Sequence, residues 1–215
     1  MRIALIGATG LVGRLLLARL VAAGHEVHAL QRRTAGDVPD GARIHLAPAE
    51  AWPELVGGLA PEAAVSALGT TMRRAGSEAA FARIDRDMVL AFAAAARLAG
   101  ARRFATVSSV GADPRSRNFY LRLKGEVEEA LRALGFPRLD IYRPGLLRGP
   151  RGGDRRIGER IGIAVSPLVN LALRGRFDRF AAIDAADVAA AIGAGIHEAG
   201  RGAFVHHNSD IRRHR

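Results

Sequence analysis

The sequence predicts an α/β fold in which a doubly wound parallel sheet is covered by helices on both faces. Three observations carry this prediction. Strand and helix signals alternate along residues 3–142, a glycine-rich turn follows the first strand, and the strands are short continuous apolar runs. A length of 215 residues suits one domain with a sizeable core. We therefore expect a single domain over residues 1–215.

The elements follow in order from periodicity and turn residues. The predicted strands are residues 3–6, 26–30, 44–46, 63–68, 104–107, 139–142 and 203–206. The predicted helices are residues 11–22, 78–99, 119–134 and 185–197, with an amphipathic stretch over 157–173 that Pro167 interrupts. The pattern changes after Pro150, so residues 150–215 read as a short C-terminal lid region that is not an independent domain.

Composition excludes several classes of function. The chain has no cysteine, which excludes disulfides, a thiol nucleophile and thiolate metal sites. No run approaches the ~20 apolar residues of a membrane span, and the chain opens on a short strand rather than a secretory signal. A cytoplasmic location is therefore the expectation. The net charge of +11 comes from scattered arginines, and aromatics are only 5%, so no specific nucleic-acid partner is expected.

A glycine-rich turn between the first strand and the first helix predicts a phosphate-binding site. Gly7 permits the tight turn, Gly10 lets the backbone approach a pyrophosphate, and Gly13 allows close packing of helix on strand. The helix N-terminus offers N–H groups and a positive dipole end to the phosphates. The alternative is a glycine turn with a purely structural role.

The end of the second strand indicates which dinucleotide binds. An acidic residue here would bind the ribose 2′-hydroxyl of NAD, but the chain has Gln31, Arg32 and Arg33. Two guanidiniums favour the 2′-phosphate of NADP, so NADP(H) is expected in preference to NAD(H). Because arginine is abundant throughout the chain, an accidental pair is the competing explanation.

Lys124 is the only lysine among 32 basic residues, and Tyr120, one of two tyrosines, precedes it by four positions. On a helix this spacing places both side chains on one face, one turn apart. A neighbouring ammonium favours the phenolate, which lets a tyrosine exchange a proton near neutral pH. The pair therefore predicts acid–base chemistry, with an accidental surface pair as the alternative.

Further motifs resemble one known family. They are residues 67–71 (ALGTT), 83–87 (RIDRD), 107–113 (VSSVGAD), 120–128 (YLRLKGEVE) and 142–145 (YRPG). With the G-x-x-G-x-x-G turn, the chain resembles atypical short-chain dehydrogenases/reductases (SDR) over nearly its whole length. This branch includes the human Tat-interacting protein and many bacterial NAD(P)H-binding proteins. The resemblance implies a Rossmann-type sheet, NADP(H) binding and an oxidoreductase.

The resemblance also implies roles for individual residues. The pyrophosphate would meet Gly7, Thr9, Gly10, Leu11, Val12 and Gly13, and the adenosine phosphate would meet Arg32 and Arg33. The ribose and nicotinamide would meet Leu68, Gly69, Thr70, Ser108 and Lys124, with Arg143, Pro144, Gly145 and Leu146 bordering the nicotinamide. The catalytic set would be Ser109, Tyr120 and Lys124. Ser109 is preferred to Ser108 because adjacent strand residues point in opposite directions, but Ser108 stays open.

Two departures from the family pattern bear on mechanism. Many SDR enzymes have an asparagine before the fifth strand, where this chain has Asp85. The C-terminal part is also shorter than in nucleotide-sugar epimerases and dehydratases, which disfavours a sugar-nucleotide substrate.

The sequence therefore predicts an NADP(H)-dependent oxidoreductase that transfers hydride between nicotinamide and a small carbonyl or alcohol. The alternative is an NADPH-binding sensor or scaffold that regulates a protein partner without turnover. No metal site is expected, because the adjacent His206 and His207 would face opposite sides of a strand. The helix that carries Tyr120 often forms dimers in SDR proteins, so a homodimer is possible.

Overall fold

A computed structural model describes residues 1–34, 38–149 and 179–214 of the chain. Its main feature is a seven-stranded sheet in which all neighbouring strands are parallel. The strands are β1 (Arg2–Ile6), β2 (Glu26–Gln31), β3 (Arg43–Leu46), β4 (Ala63–Ser66), β5 (Arg103–Val107), β6 (Arg138–Tyr142) and β9 (Gly202–His206). They lie in the order β3-β2-β1-β4-β5-β6-β9. The predicted doubly wound parallel sheet is confirmed.

Successive side chains of each strand point to opposite faces of the sheet, so both faces are apolar and helices cover both. The helices are α1 (Leu11–Ala22), α2 (Trp52–Leu59), α3 (Met72–Ala75), α4 (Glu78–Ala82), α5 (Met88–Leu98), α6 (Phe119–Ala133), α7 (Ala185–Gly195) and α8 (Asn208–Ile211). One core layer lies between the sheet and α1 with α7, and the other lies under α2, α5 and α6. The strand order reverses between β1 and β4, which is where ligands bind in such sheets.

Two helical features differ from the sequence prediction. Residues 52–59 form α2, although Gly57 and Gly58 disfavour a helix; Trp52 and Val56 anchor it by burial. The predicted helix over residues 78–99 is interrupted by a π-helical turn at Arg83–Asp87. Asp85 is the buried residue of this turn, with only 1% of it exposed.

The described C-terminal residues complete the sheet and one helix layer. Helix α7 packs against α1, and β9 pairs with β6. A separate two-stranded ladder joins β7 (Leu147–Arg148) to β8 (Ile183–Asp184). The amphipathic stretch predicted over 157–173 lies outside the described residues.

Strand β9 is held to β6 by a charged cluster around Arg138. Its guanidinium donates to both carboxylate oxygens of Asp140, at 2.7 and 2.9 Å, and stacks on the ring of Phe204. His206 Nε2 lies 2.8 Å from Asp140 Oδ1. His206 therefore has a structural carboxylate partner, and no group of three metal-ligating side chains lies together in the described ranges.

Two pairs of histidines are in contact, one between residues that flank β2 and α7 and one between β2 and β3. His25 Nε2 lies 3.0 Å from His197 Nε2, and His28 Nδ1 lies 2.8 Å from His45 Nε2. Burial, helped in each case by nearby positive groups, lowers the pKa of His25 and of His45. Both rings therefore favour the neutral form in the folded protein.

Candidate active site

The glycine turn fits closely against the loop that follows β4. Gly7 has a φ of +82°, and a Cβ there would overlap the backbone of Ala67 and Leu68. A Cβ on Gly13 would overlap the carbonyl oxygen of Gly7, so α1 can approach β1 only with glycine at this position. The amide of Gly10 donates to the Gly7 carbonyl over 2.9 Å, which closes the turn.

The turn leaves the start of α1 open toward the edge where the strands end. Gly10 is the N-cap of α1 and makes no side-chain cap hydrogen bond, and both Thr9 and Gly10 are exposed. Val12 packs in the core, so it can offer a ligand only its backbone. The exposed glycine backbone and the helix N-terminus fit a pyrophosphate, which needs close approach and N–H donors.

Arg32 and Arg33 are exposed and follow β2 directly. Since β2 pairs with β1 in parallel, their backbone lies at the same sheet edge as the glycine turn. Gln31 is buried, and its Oε1 has no partner among the described atoms. Residues 35–37 lie outside the described part of this connection.

Lys124 pairs with the aspartate of the π-helical turn. Its Nζ lies 2.8 Å from Asp85 Oδ1, and the side chains of Lys124 and Asp85 are 8% and 1% exposed. The other carboxylate oxygen, Asp85 Oδ2, accepts the backbone N–H of Thr70 over 2.8 Å. One carboxylate therefore joins the predicted ribose-binding lysine to the predicted ribose-binding loop.

Burial alone would lower the pKa of Lys124, but Asp85, Tyr120 and Glu128 together outweigh that effect, with Asp85 contributing most, and raise this pKa above its ordinary value. The Lys124 ammonium lies 6.0 Å from the centre of the Tyr120 ring, so the predicted pair does share one helix face. Tyr120 is partly exposed, and its ring packs edge-on against Phe81 at 5.8 Å between centroids.

Ser108 and Ser109 have different surroundings. Ser108 is buried, and its hydroxyl donates to Glu128 Oε1 over 2.6 Å. Glu128 also accepts two hydrogen bonds from the guanidinium of Arg143. Ser109 is partly exposed and makes one long contact of 3.3 Å with the carbonyl of Val110. The structure thus brings Ser108 and Arg143 into one ionic cluster and leaves Ser109 outside it.

Residues 144–146 border the same edge after β6. The carbonyl of Pro144 accepts the amide of Val110 over 3.0 Å, and the amide of Gly145 donates to the side chain of Asn208 over 3.0 Å. A Cβ on Gly145 would overlap the carbonyl oxygen of Ala181. Leu146 is 41% exposed at the rim. These contacts tie the predicted nicotinamide border to β5 and to the C-terminal residues.

A small cavity lies beneath this edge, between the sheet and helices α5 and α6. Asp85, Thr106, Ser108, Lys124 and Glu128 contribute its polar lining. It has room for about one water molecule, and its lining offers enough polar partners for one. The ion pair of Lys124 with Asp85 and the cluster around Glu128 therefore line the same cavity.

Sequence reasoning missed the part that Glu128 plays. Its position four residues after Lys124 was the available signal, because residues so spaced share a helix face. Asp85 was noted only as a departure from a family pattern. It lies in the π-helical turn, which the sequence prediction did not contain.

No helix in the described part of the chain is long and apolar enough to cross a membrane.

Comparison with known proteins gives one matching family model and several similar proteins. Residues 3–124 match the family model described as the NAD dependent epimerase/dehydratase family. Protein fmp52, mitochondrial, of Emericella nidulans is 40% identical over 162 residues, which cover 71% of this chain and 70% of that protein. Protein HTATIP2 of Rattus norvegicus is 47% identical over 88 residues, covering 41% of this chain and 36% of that protein.

Two solved structures support the fold. A Thermus thermophilus UDP-glucose 4-epimerase in complex with NAD has a TM-score of 0.75 at 18% identity and covers 99% of this chain and 80% of its own. The human epimerase family protein SDR39U1 with NADPH has a TM-score of 0.66 at 20% identity, covering 96% of this chain and 74% of its own. At these identities the likeness shows the fold alone.

The comparison corrects one expectation. A cytoplasmic location is contradicted, because the Emericella nidulans relative and the related proteins of Scheffersomyces stipitis and Eremothecium gossypii are named mitochondrial. The expected resemblance to atypical SDR proteins is confirmed by the family match and by the HTATIP2 relationship. The extent of the family match and the similarity to fmp52 establish that this chain belongs to the NAD dependent epimerase/dehydratase family.

Proposed function

We propose that the chain is an NADP(H)-dependent oxidoreductase that acts on a small carbonyl or alcohol. The family and its NAD- and NADPH-bound structural neighbours support binding of a nicotinamide dinucleotide. The finer assignment rests on this chain's own residues. The bound cofactor would supply the hydride donor or acceptor, and the protein would bind it, orient it and move one proton.

The observation that carries the proposal is a loop shared by the two halves of the site. Gly7 of the phosphate-binding turn packs on the backbone of Ala67 and Leu68. Two residues further, the Thr70 amide holds Asp85, which holds Lys124. The turn suited to phosphates and the pair suited to proton transfer are thus built on residues 67–70.

Three side chains have proposed roles in the chemical step. Tyr120 exchanges a proton with the substrate oxygen, because its phenol is partly exposed and lies on the helix face of Lys124. Ser109 hydrogen-bonds that oxygen, since Ser108 is committed to Glu128. Lys124 lies next to Tyr120 on the same helix face and binds the nicotinamide ribose. An ammonium has three N–H donors, so donation to Asp85 leaves two for other acceptors.

The preference for NADP(H) rests on Arg32 and Arg33. Both are exposed at the edge next to the glycine turn, where a 2′-phosphate would attract guanidinium groups. The buried Gln31 before them supplies no negative charge that would repel this phosphate.

Calorimetric titration of the nucleotide-free protein, first with NADPH and then with NADH, tests the proposal. We expect tighter binding of NADPH. Equal affinities would contradict the preference for NADP(H), and binding of neither would mean that the glycine turn is structural. If NADPH binds, carbonyl compounds can be screened by the loss of NADPH absorbance, with Tyr120→Phe as the inactive control.

A further inference from the structure

The carboxylate of Asp85 has a place in the site that the proposed chemistry does not use. It lies between the loop after β4 and helix α6, and one of its oxygens accepts a hydrogen bond from each. It is also the buried residue of the π-helical turn, and such turns are often found at functional sites. Nearby Asp87, by contrast, is exposed and pairs with Arg86 at the surface.

We propose that Asp85 is a positioning residue that fixes Lys124 and the loop at Thr70 relative to each other, and so prepares the nicotinamide-ribose half of the site before the cofactor binds. This inference rests on the proposed function. Both partners of Asp85 belong to the part of the site expected to meet that ribose. The phosphate turn and Arg32 belong to the other half.

A carboxylate is required here because both partners are donors. The Lys124 ammonium donates to Oδ1 and the Thr70 amide donates to Oδ2. An asparagine has one acceptor oxygen and one amide nitrogen that can only donate, so it would place a donor against a donor at one of the two positions. Asp85→Asn keeps the size of the side chain but should lose one of these contacts.

The charge of Asp85 also governs the state of Lys124. Burial disfavours the ammonium, and Asp85 is the nearest compensating carboxylate. The cavity beside the pair is lined by a second carboxylate, Glu128, but this carboxylate already pairs with Arg143. Loss of the Asp85 charge should therefore let Lys124 release its proton at lower pH.

The first experiment compares NADPH with adenosine 2′,5′-bisphosphate, which carries the adenosine half of the cofactor but no nicotinamide ribose. Both are titrated calorimetrically into the wild-type chain, Asp85→Asn and Asp87→Asn. We expect Asp85→Asn to weaken NADPH roughly tenfold, the size of one lost charge-assisted hydrogen bond, and to leave the bisphosphate affinity unchanged. Asp87→Asn, with the same charge change on the same turn, should bind both ligands like the wild type.

The outcomes separate the two proposals. Failure of the wild-type chain to bind NADPH would overturn the proposed function, and the role of Asp85 with it. Wild-type NADPH affinity in Asp85→Asn would overturn only the role of Asp85. Equal weakening of both ligands would also overturn it, because a general distortion would then explain the effect.

A second measurement needs no nucleotide. Because Lys124 is the only lysine, protein labelled with 13C at lysine Cε gives one lysine signal in an NMR pH titration. We expect this signal to titrate at distinctly lower pH in Asp85→Asn than in the wild type, and identical titrations would contradict the proposal. If Asp85→Asn does not fold, Asp85→Glu keeps the charge but shifts the carboxylate by one methylene. It should weaken NADPH and spare the bisphosphate, and wild-type NADPH affinity would again overturn the proposal.

Discussion

The hydroxyl of Ser108 and the carboxylate of Glu128 form a buried hydrogen bond of 2.6 Å, which separates the two adjacent serines into different environments. Glu128 is further held by Arg143, so Ser108 belongs to an ionic cluster that joins β5, α6 and β6. Within the described ranges Ser109 makes only a weak local contact, and it is partly exposed. Substitution of each serine can therefore show which of the two binds the substrate oxygen.

Ser109→Ala should lower turnover on the order of 10²-fold, because it removes a donor to the substrate oxygen. Ser108→Ala should instead lower the free energy of unfolding by about 1–3 kcal/mol, because it removes a buried hydrogen bond to a charged group. Urea unfolding and NADPH oxidation measured on both variants check the assignment. A larger loss of turnover in Ser108→Ala than in Ser109→Ala would reverse it.

Tyr120→Phe should reduce turnover by about 10²–10⁴, as expected for the loss of a general acid–base, while NADPH still binds. The matched control is the other tyrosine. Tyr142 is buried, and its hydroxyl donates to the carbonyl of Ala191 over 3.1 Å, so Tyr142→Phe should cost about 1 kcal/mol of stability and leave turnover intact. Full activity of Tyr120→Phe would refute the general acid–base role of Tyr120, whereas NADPH binding without turnover in the wild type would favour a sensor or scaffold over an enzyme.

Arg32→Asp combined with Arg33→Ser should reverse the preference for NADPH over NADH. The aspartate would repel a 2′-phosphate and accept a hydrogen bond from a 2′-hydroxyl. Calorimetric titration with both nucleotides measures the ratio of the NADPH and NADH affinities, and this ratio must change. Arg102→Asp combined with Arg201→Ser makes the same change of net charge and serves as the control, because these exposed arginines lie just before β5 and β9 at the opposite edge of the sheet.

Gly13→Ala should abolish nucleotide binding or unfold the chain, because the added Cβ would overlap the Gly7 carbonyl oxygen. Gly57→Ala makes the same change inside α2, where a Cβ meets nothing within 4 Å. It should raise stability by about 0.5–1 kcal/mol, since glycine is a poor helix former. Thermal unfolding and NADPH titration of both variants test these opposite signs.

Acidification should destabilise the protein through His25 and His45. Their pKa values are lowered by burial, so the unfolded chain binds more protons than the folded chain below the ordinary histidine pKa of about 6.5. This contribution to stability is complete above that value and is lost as the pH falls through the lowered pKa values. Urea unfolding between pH about 7.5 and about 5 measures the loss.

His25→Gln and His45→Gln variants serve as the comparison for the pH series. Each removes one group that must stay neutral, so each should flatten the dependence of the unfolding free energy on pH. An unchanged slope in both variants would assign the acid sensitivity to other groups.

Local sequence patterns predicted the strands of the sheet, the glycine turn and the shared helix face of Tyr120 and Lys124. Each of these features depends on residues a few positions apart. The partner of Lys124 could not be predicted in this way. Asp85 is 39 positions away, and it lies in a π-helical turn that no local pattern predicted. The α2 helix was missed because Gly57 and Gly58 lower helix propensity, whereas the burial of Trp52 and Val56 decides the outcome.

The burial of the only lysine has a consequence for covalent chemistry. The one ε-amino group of the chain is 8% exposed and held in an ion pair, so amine-reactive reagents should modify the folded protein mainly at its terminal amine. Modification of Lys124 would require the surrounding elements to open. The rate of lysine acylation should therefore report how often this part of the fold opens, and a bound cofactor that covers Lys124 should slow it.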